Sequence, residues 1–210
     1  MKLFVATRNE GKEREIRDLF TGLPFQLVFP ADQFLAALPE EADLERGATF
    51  VENAVAKARY FAKRAGLPTV ADDSGLEVDA LLGAPGPFSA RYAALAGRTA
   101  AAGPDAANNS LLLEQLGAVP DTARTARYRC VVAFLETPTR APQLVEATCE
   151  GRILSAPRGD GGFGYDPLFF STDLGMTFAE ASLPAKQRVS HRGRAFRALI
   201  EVLLRRLTPP

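Results

Sequence analysis

A chain of 210 residues, 47% apolar and 24% charged, is long enough to bury one substantial core and has ordinary globular composition. Its 25 lysines and arginines balance 25 aspartates and glutamates, so there is no broad electropositive field and duplex nucleic acid is not an expected partner. One histidine and two cysteines, Cys130 and Cys149, with no CxxC pair, do not supply a zinc site, and no apolar run is long enough to span a membrane.

The opening residues Met1-Lys2-Leu3-Phe4-Val5 read as a core strand rather than a secretory leader, so a reducing, cytoplasmic setting is the expectation. Thr7-Arg8-Asn9 is a polar turn. A helix follows to about Phe20, with Ile16, Leu19 and Phe20 at i, i+3, i+4. Phe25 to Phe29 is a second strand. Asp32 to Arg46 is an acid-rich loop with room for a short helix. Thr49 and Glu52 make a capping box, after which Phe50, Ala54, Ala58, Phe61, Ala62 and Ala65 line one helical face. Gly66 and Pro68 end that helix.

Thr69-Val70-Ala71 is a strand leading into Asp72-Asp73-Ser74-Gly75, and Leu76 to Leu81 alternates like another strand. Gly83 to Pro87 is a turn-rich link. Pro104 to Leu116 is a helix stopped by Gly117, Tyr128 to Leu135 and Leu144 to Ile153 are paired strands, and the last helix runs from about Arg194 to Leu207. Strands alternating with helices, plus an antiparallel pair, indicate a single α/β domain over 1–210 with a mixed sheet.

Five stretches carry chemistry. Thr7-Arg8-Asn9-Glu10-Gly11-Lys12 places a strand before a helix N-terminus, where amide groups and the dipole favour an anion. Asn9 fits the N-cap. Lys12, in the first turn, opposes the dipole unless an anion is bound; otherwise it is an ordinary surface lysine. Asp72 and Asp73 are adjacent carboxylates, which repel unless a proton or a hard cation such as Mg²⁺ intervenes. Asp-Asp-Ser-Gly also fits a plain turn.

Glu45 precedes the capped helix, which carries Asn53 and Lys57 at i, i+4 on its polar face. By themselves, Glu45 and Lys57 read as solvated charges. Gly161-Gly162-Phe163-Gly164-Tyr165-Asp166-Pro167 offers close backbone approach and two rings for a base to stack on, or a tight loop with its aromatics in the core. Ser190-His191-Arg192-Gly193, with Lys186 upstream, is similar to a helix start with exposed polar donors.

In this order and spacing, the chain resembles the inosine triphosphate pyrophosphatase family of non-canonical purine nucleoside triphosphate pyrophosphatases along essentially its whole length. The stretches that carry the resemblance are Thr7 to Lys12, Glu45 through Gly47-Ala48-Thr49-Phe50 to Asn53 and Lys57, Ala71 to Asp79, Gly86-Pro87-Phe88-Ser89-Ala90-Arg91-Tyr92, Phe163 to Pro167, and Ser190 to Gly193. The resemblance implies an elongated mixed central sheet with flanking helices, two lobes around an active-site cleft, and a homodimer. It implies Mg²⁺-dependent hydrolysis of ITP, dITP or XTP to the monophosphate and pyrophosphate.

By the same resemblance, the Thr7-Arg8-Asn9-Glu10-Gly11-Lys12 turn binds substrate, with Thr7, Asn9 and Lys12 on the triphosphate. Lys57, Ser74, Phe163, Gly164, Tyr165, Asp166, Lys186, His191 and Arg192 also contact substrate. Glu45 and Asp73 serve the metal, and Asp73 is the proton acceptor. The family usually has glycine where Arg8 stands. Arginine there is strained if the position needs positive φ, or else it adds a phosphate contact. Two alternatives stay open: a related pyrophosphatase for modified pyrimidine nucleotides, and a non-catalytic nucleotide-binding sensor, which would be expected to lose the acids this chain retains.

Overall fold

The computed structural model describes residues 1–207. Its strands form one seven-stranded mixed sheet in the order β2-β1-β3-β4-β5-β6-β7: β1 (Lys2–Val5), β2 (Gln26–Val28), β3 (Thr69–Val78), β4 (Thr125–Leu135), β5 (Gln143–Ile153), β6 (Phe169–Ser171) and β7 (Met176–Thr177). β1 runs parallel to β2 and β3, whereas β6 is antiparallel to both β5 and β7. The helices are α1 (Glu10–Leu19), α2 (Phe50–Ala65), α3 (Tyr92–Leu95), α4 (Pro104–Gln115), α5 (Leu183–Val189) and α6 (His191–Leu207).

Local chemistry explains the main boundaries. Asn9 caps α1, its side chain accepting the Lys12 amide at 2.9 Å. Both arms of the predicted capping box form on α2: the Glu52 amide donates to Thr49 Oγ1 and the Thr49 amide to Glu52 Oε2, each at 3.1 Å. α2 stops at Gly66, which takes the left-handed conformation at φ 64°.

The chain divides into two compact units, and β3, β4 and β5 contribute residues to both. Among the described residues the first comprises Met1–Asp73, Cys130–Ala147 and residues 193–207. Strand alternation sorts its core onto two faces. Leu3, Val5, Val70, Cys130 and Val132 pack with Ile16 of α1 and Phe196, Leu199 and Leu203 of α6. Phe4, Ala6, Ala71, Val131 and Ala133 pack with Phe50, Ala54, Ala58 and Phe61 of α2. The second unit comprises Ser74–Arg129 and Thr148–Arg192. Its core joins Leu76, Val78, Tyr128, Cys149, Ile153, Phe169 and Phe178 to Leu112 and Leu116 of α4.

Two expectations change. Asp72-Asp73-Ser74-Gly75 is not a turn between two strands: β3 runs unbroken from Thr69 to Val78, and Asp79–Leu81 is a 3-10 turn. The acids stay in the ladder because each has its own cation, described below. α6 begins at His191, three residues before Arg194, because Ser190 adopts an extended conformation that separates it from α5.

Candidate active site

Strand parity decides what the two adjacent acids do. Successive side chains on a strand point to opposite faces. Asp72 follows Val70 onto the α1 face, and Asp73 follows Ala71 onto the α2 face. The Lys12 ammonium, on α1, lies 3.1 Å from Asp72 Oδ2, and the Cys130 thiol lies 4.0 Å from the same oxygen. Asp72 is only 2% exposed. The repulsion expected between neighbouring carboxylates is therefore relieved without a shared cation: they face apart, and a lysine meets each.

On the α2 face, Asp73 Oδ2 accepts Asn53 Nδ2 at 2.8 Å, and Asp73 Oδ1 lies 3.3 Å from Lys57 Nζ. That ammonium also lies 2.6 Å from Glu45 Oε1, so it bridges two carboxylates. Lys57 is buried, not solvated. Burial alone would lower its pKa, but the charges of Asp73, Glu45 and Asp72 more than reverse this and hold it charged well above the ordinary lysine range. Asn53 completes the arrangement by accepting the Gly47 amide on Oδ1 at 2.8 Å. A Cβ at position 47 would stand 2.7 Å from that oxygen, so the close approach requires glycine. Asn53 was legible as Lys57's neighbour on α2, but nothing in the sequence marked it as an Asp73 ligand.

Among the described residues, no three histidine, cysteine or acidic side chains gather as a metal cluster. Mg²⁺ does not need one: it commonly takes one or two carboxylates, several waters and substrate phosphates. Glu45 and Asp73 are hard oxygen donors that already converge on one cation, the Lys57 ammonium, and the Glu45 side chain is 39% exposed. The donor set fits such an ion.

In the phosphate-loop candidate, Thr7 is buried, and its Oγ1 accepts the Asn9 amide at 3.2 Å. Glu10, Gly11 and Lys12 form the first turn of α1. Arg8 is not at positive φ; among the described non-glycine residues only Phe34 and Leu82 are. No backbone strain follows from the arginine. Its guanidinium donates to Glu41 at 2.6 and 2.9 Å and to the Leu35 carbonyl at 2.9 Å.

The second unit gathers the remaining candidates around Asp166. Its Oδ2 lies 2.5 Å from Lys186 Nζ and accepts the Phe163 amide at 2.9 Å, while Tyr128 OH lies 3.5 Å from Oδ1. Gly162 turns the loop at φ 73°, and a Cβ there would stand 2.0 Å from Asp166 Oδ2. The half-buried Phe163 ring lies 4.9 Å from Lys186 Nζ and 5.7 Å from Arg192 Cζ. Arg192 Nη2 donates to Ser74 Oγ at 2.7 Å. His191 stacks on Tyr128 at 4.6 Å with the planes 8° apart. Tyr165 OH donates to the Ser89 carbonyl at 2.8 Å, burial pushing its phenol above the usual range, and Gly164 is tied by its carbonyl to Asn109.

The donors at Lys186, His191 and Arg192 are thus buried rather than exposed. Tyr128, which holds Asp166, had no sequence signal beyond lying in an expected strand, and Ser89, which holds Tyr165, stood in the Gly86 to Tyr92 stretch of the family resemblance without any role read for it.

A model of the Ham1 family matches residues 3–202. A dITP/XTP pyrophosphatase from Geobacter sulfurreducens is 49% identical over 199 residues, covering 94% of each chain. Among solved structures, a HAM1 protein from Coxiella burnetii superposes with a TM-score of 0.83 at 39% identity, covering 98% of this chain and 99% of that one. A dITP/XTP pyrophosphatase from Mycobacterium abscessus gives 0.69 at 43% identity, covering 95% and 98%. A family match spanning nearly all the chain, with this degree of identity end to end, shows that the chain belongs to the Ham1 family.

Proposed function

We propose that the protein is a Mg²⁺-dependent pyrophosphatase that hydrolyses non-canonical purine nucleoside triphosphates, dITP, XTP and ITP, to the monophosphate and pyrophosphate. The observation that carries this reading is a lysine against each of the two β3 acids, Lys12 against Asp72 and Lys57 against Asp73, with Glu45 from the segment before α2 also meeting Lys57. A polyanion-binding lysine beside hard acids suits phosphoryl chemistry, and the dITP/XTP pyrophosphatase relatives give the substrate class.

Glu45 and Asp73 would hold Mg²⁺, which supplies charge neutralisation and orientation of phosphates and water. Thr7, Asn9 and Lys12, at the N-terminus of α1, bind the triphosphate. Asp73 takes the proton from the attacking water, the water oxygen bonds to a nucleotide phosphorus, and the anhydride bond to pyrophosphate breaks. Lys12 and Lys57 offset the charge that grows on phosphate oxygens. Phe163 offers a face to the base, and Ser74, Gly164, Tyr165, Asp166, Lys186, His191 and Arg192 shape its surroundings. The neutral net charge supports a small-molecule substrate rather than a nucleic acid.

Both cysteines are buried, and a reducing cytoplasm suits them. Among the described residues, no helix is long and apolar enough to cross a membrane. The family resemblance supports a homodimer, testable by light scattering. Parallel assays of pyrophosphate release from ITP, XTP, dITP, ATP, GTP and CTP, with and without Mg²⁺, test the function. Preference for the pyrimidine, or binding without hydrolysis, overturns it.

A further inference from the structure

Arg8, Glu41 and Arg64 form an ion triad beside the proposed phosphate and metal groups. Arg8 presents a two-point fork, Nε to Glu41 Oε2 at 2.6 Å and Nη2 to Oε1 at 2.9 Å. Arg64 Nη1 reaches the same Oε1 at 2.7 Å. Both guanidiniums also grip the backbone of Glu41's own segment, Arg8 at the Leu35 carbonyl (2.9 Å) and Arg64 at the Ala36 carbonyl (3.0 Å). The Leu38 amide donates to Glu41 Oε1 at 3.3 Å. Shared bidentate pairing of this kind is stronger than an isolated surface pair.

The segment needs such ties. No residue from 31 to 46 is buried, although Leu35 and Leu44 lean on the α2 core. Its far end carries Glu45, four residues beyond Glu41. α2 holds both acids, Glu45 through Lys57 and Glu41 through Arg64, and these two cations lie two turns apart on one face of the helix. Arg8 adds a tie from the turn between Thr7 and Asn9. The glycine that the family resemblance implies at position 8 has no side chain to make it.

We infer that the Arg8–Glu41–Arg64 triad is a positioning device that fixes Glu45 relative to the Thr7–Lys12 turn, setting the metal carboxylate and the phosphate turn together. This rests on the pyrophosphatase reading above. The test compares wild type, Arg8→Gly, Arg8→Lys and Glu41→Gln by two measurements on the full chain. One is pyrophosphate release from dITP over a range of Mg²⁺ concentrations. The other is amide hydrogen exchange over residues 31–46.

Arg8→Gly and Glu41→Gln should speed exchange in 31–46 about tenfold while leaving Phe50–Ala65 unchanged. Both should raise the Mg²⁺ needed for half-maximal rate and the KM for dITP several-fold, more than they lower kcat. Arg8→Lys, which keeps the charge and loses the fork, should fall between. Faster exchange with unchanged Mg²⁺ dependence and KM would make the triad a structural brace only and overturn the inference, as would unchanged exchange. Wild type that releases no pyrophosphate sinks the functional reading itself; active wild type matched in every respect by Arg8→Gly sinks the triad alone.

Discussion

Lys12 Nζ lies 3.1 Å from Asp72 Oδ2, and this contact reverses what the lysine's sequence position suggests about stability. A cation in the first turn of a helix opposes the dipole, so removing it should leave the protein without ligand as stable or slightly more so. Asp72, however, is 2% exposed, and a buried carboxylate that loses a cationic partner is costly. Lys12→Ala should therefore lower stability by about 2 kcal/mol as well as weaken triphosphate binding. Chemical denaturation without nucleotide, beside the KM for dITP, separates the effects; unchanged stability would mean that the pair contributes nothing net.

Asp73→Asn should lower kcat by roughly 10²-fold or more, the scale of losing a positioned base. Glu45→Gln should act differently, mainly raising the Mg²⁺ requirement. Steady-state rates at saturating Mg²⁺ distinguish them, and full activity in Asp73→Asn would remove Asp73 from the mechanism.

For base choice, inosine and xanthosine present an O6 acceptor where adenosine presents an amino donor. Arginine offers donors only. Arg192→Ala should cut the ITP/ATP ratio of kcat/KM, by roughly tenfold if it unpairs one donor. His191 lies flat on Tyr128, so His191→Ala should cost chiefly thermal stability. An unchanged ratio in Arg192→Ala, with both substrates slowed equally, would assign Arg192 to the phosphates or the scaffold.

Burial pulls the Glu41 pKa up, but the hydrogen bond and charge of Arg8 outweigh it, so the carboxyl is more acidic in the folded protein. A depressed carboxyl stabilises fully above its unfolded value, about 4.3, and loses that contribution as pH falls through the folded value. The stability gap between wild type and Glu41→Gln should accordingly be constant near neutrality and close below pH about 4. Thermal unfolding across pH 3 to 7 reads this directly; a gap independent of pH would exclude the charge of Glu41 as its source.

The helices were legible where caps and periodicity are local. Asn9, the Thr49–Glu52 box and Gly66 all behave as their residue types dictate. The strand through Asp72 and Asp73 was not, because aspartate, serine and glycine signal a turn, and only the distant Lys12, Lys57 and Asn53 keep them in a ladder. For the same reason Lys57 read as solvated: its burial depends on Glu45 and Asp73, twelve and sixteen residues away in sequence. The three-residue β6, the two-residue β7 and the seven-residue α5 are too short for a hydrophobic pattern to repeat often enough to stand out. The role of Arg8 required seeing Glu41, thirty-three residues away.

The chain has five lysines, and three of them, Lys12, Lys57 and Lys186, are paired with carboxylates, while Lys2 and Lys63 are exposed. Acylating reagents attack the neutral amine, a form that Lys57 in particular is held away from. Among the lysines, attachment to an amine-reactive surface or dye should therefore favour the exposed Lys2 and Lys63, and the lysine side chains proposed to meet the nucleotide, each paired with a carboxylate, should stay intact.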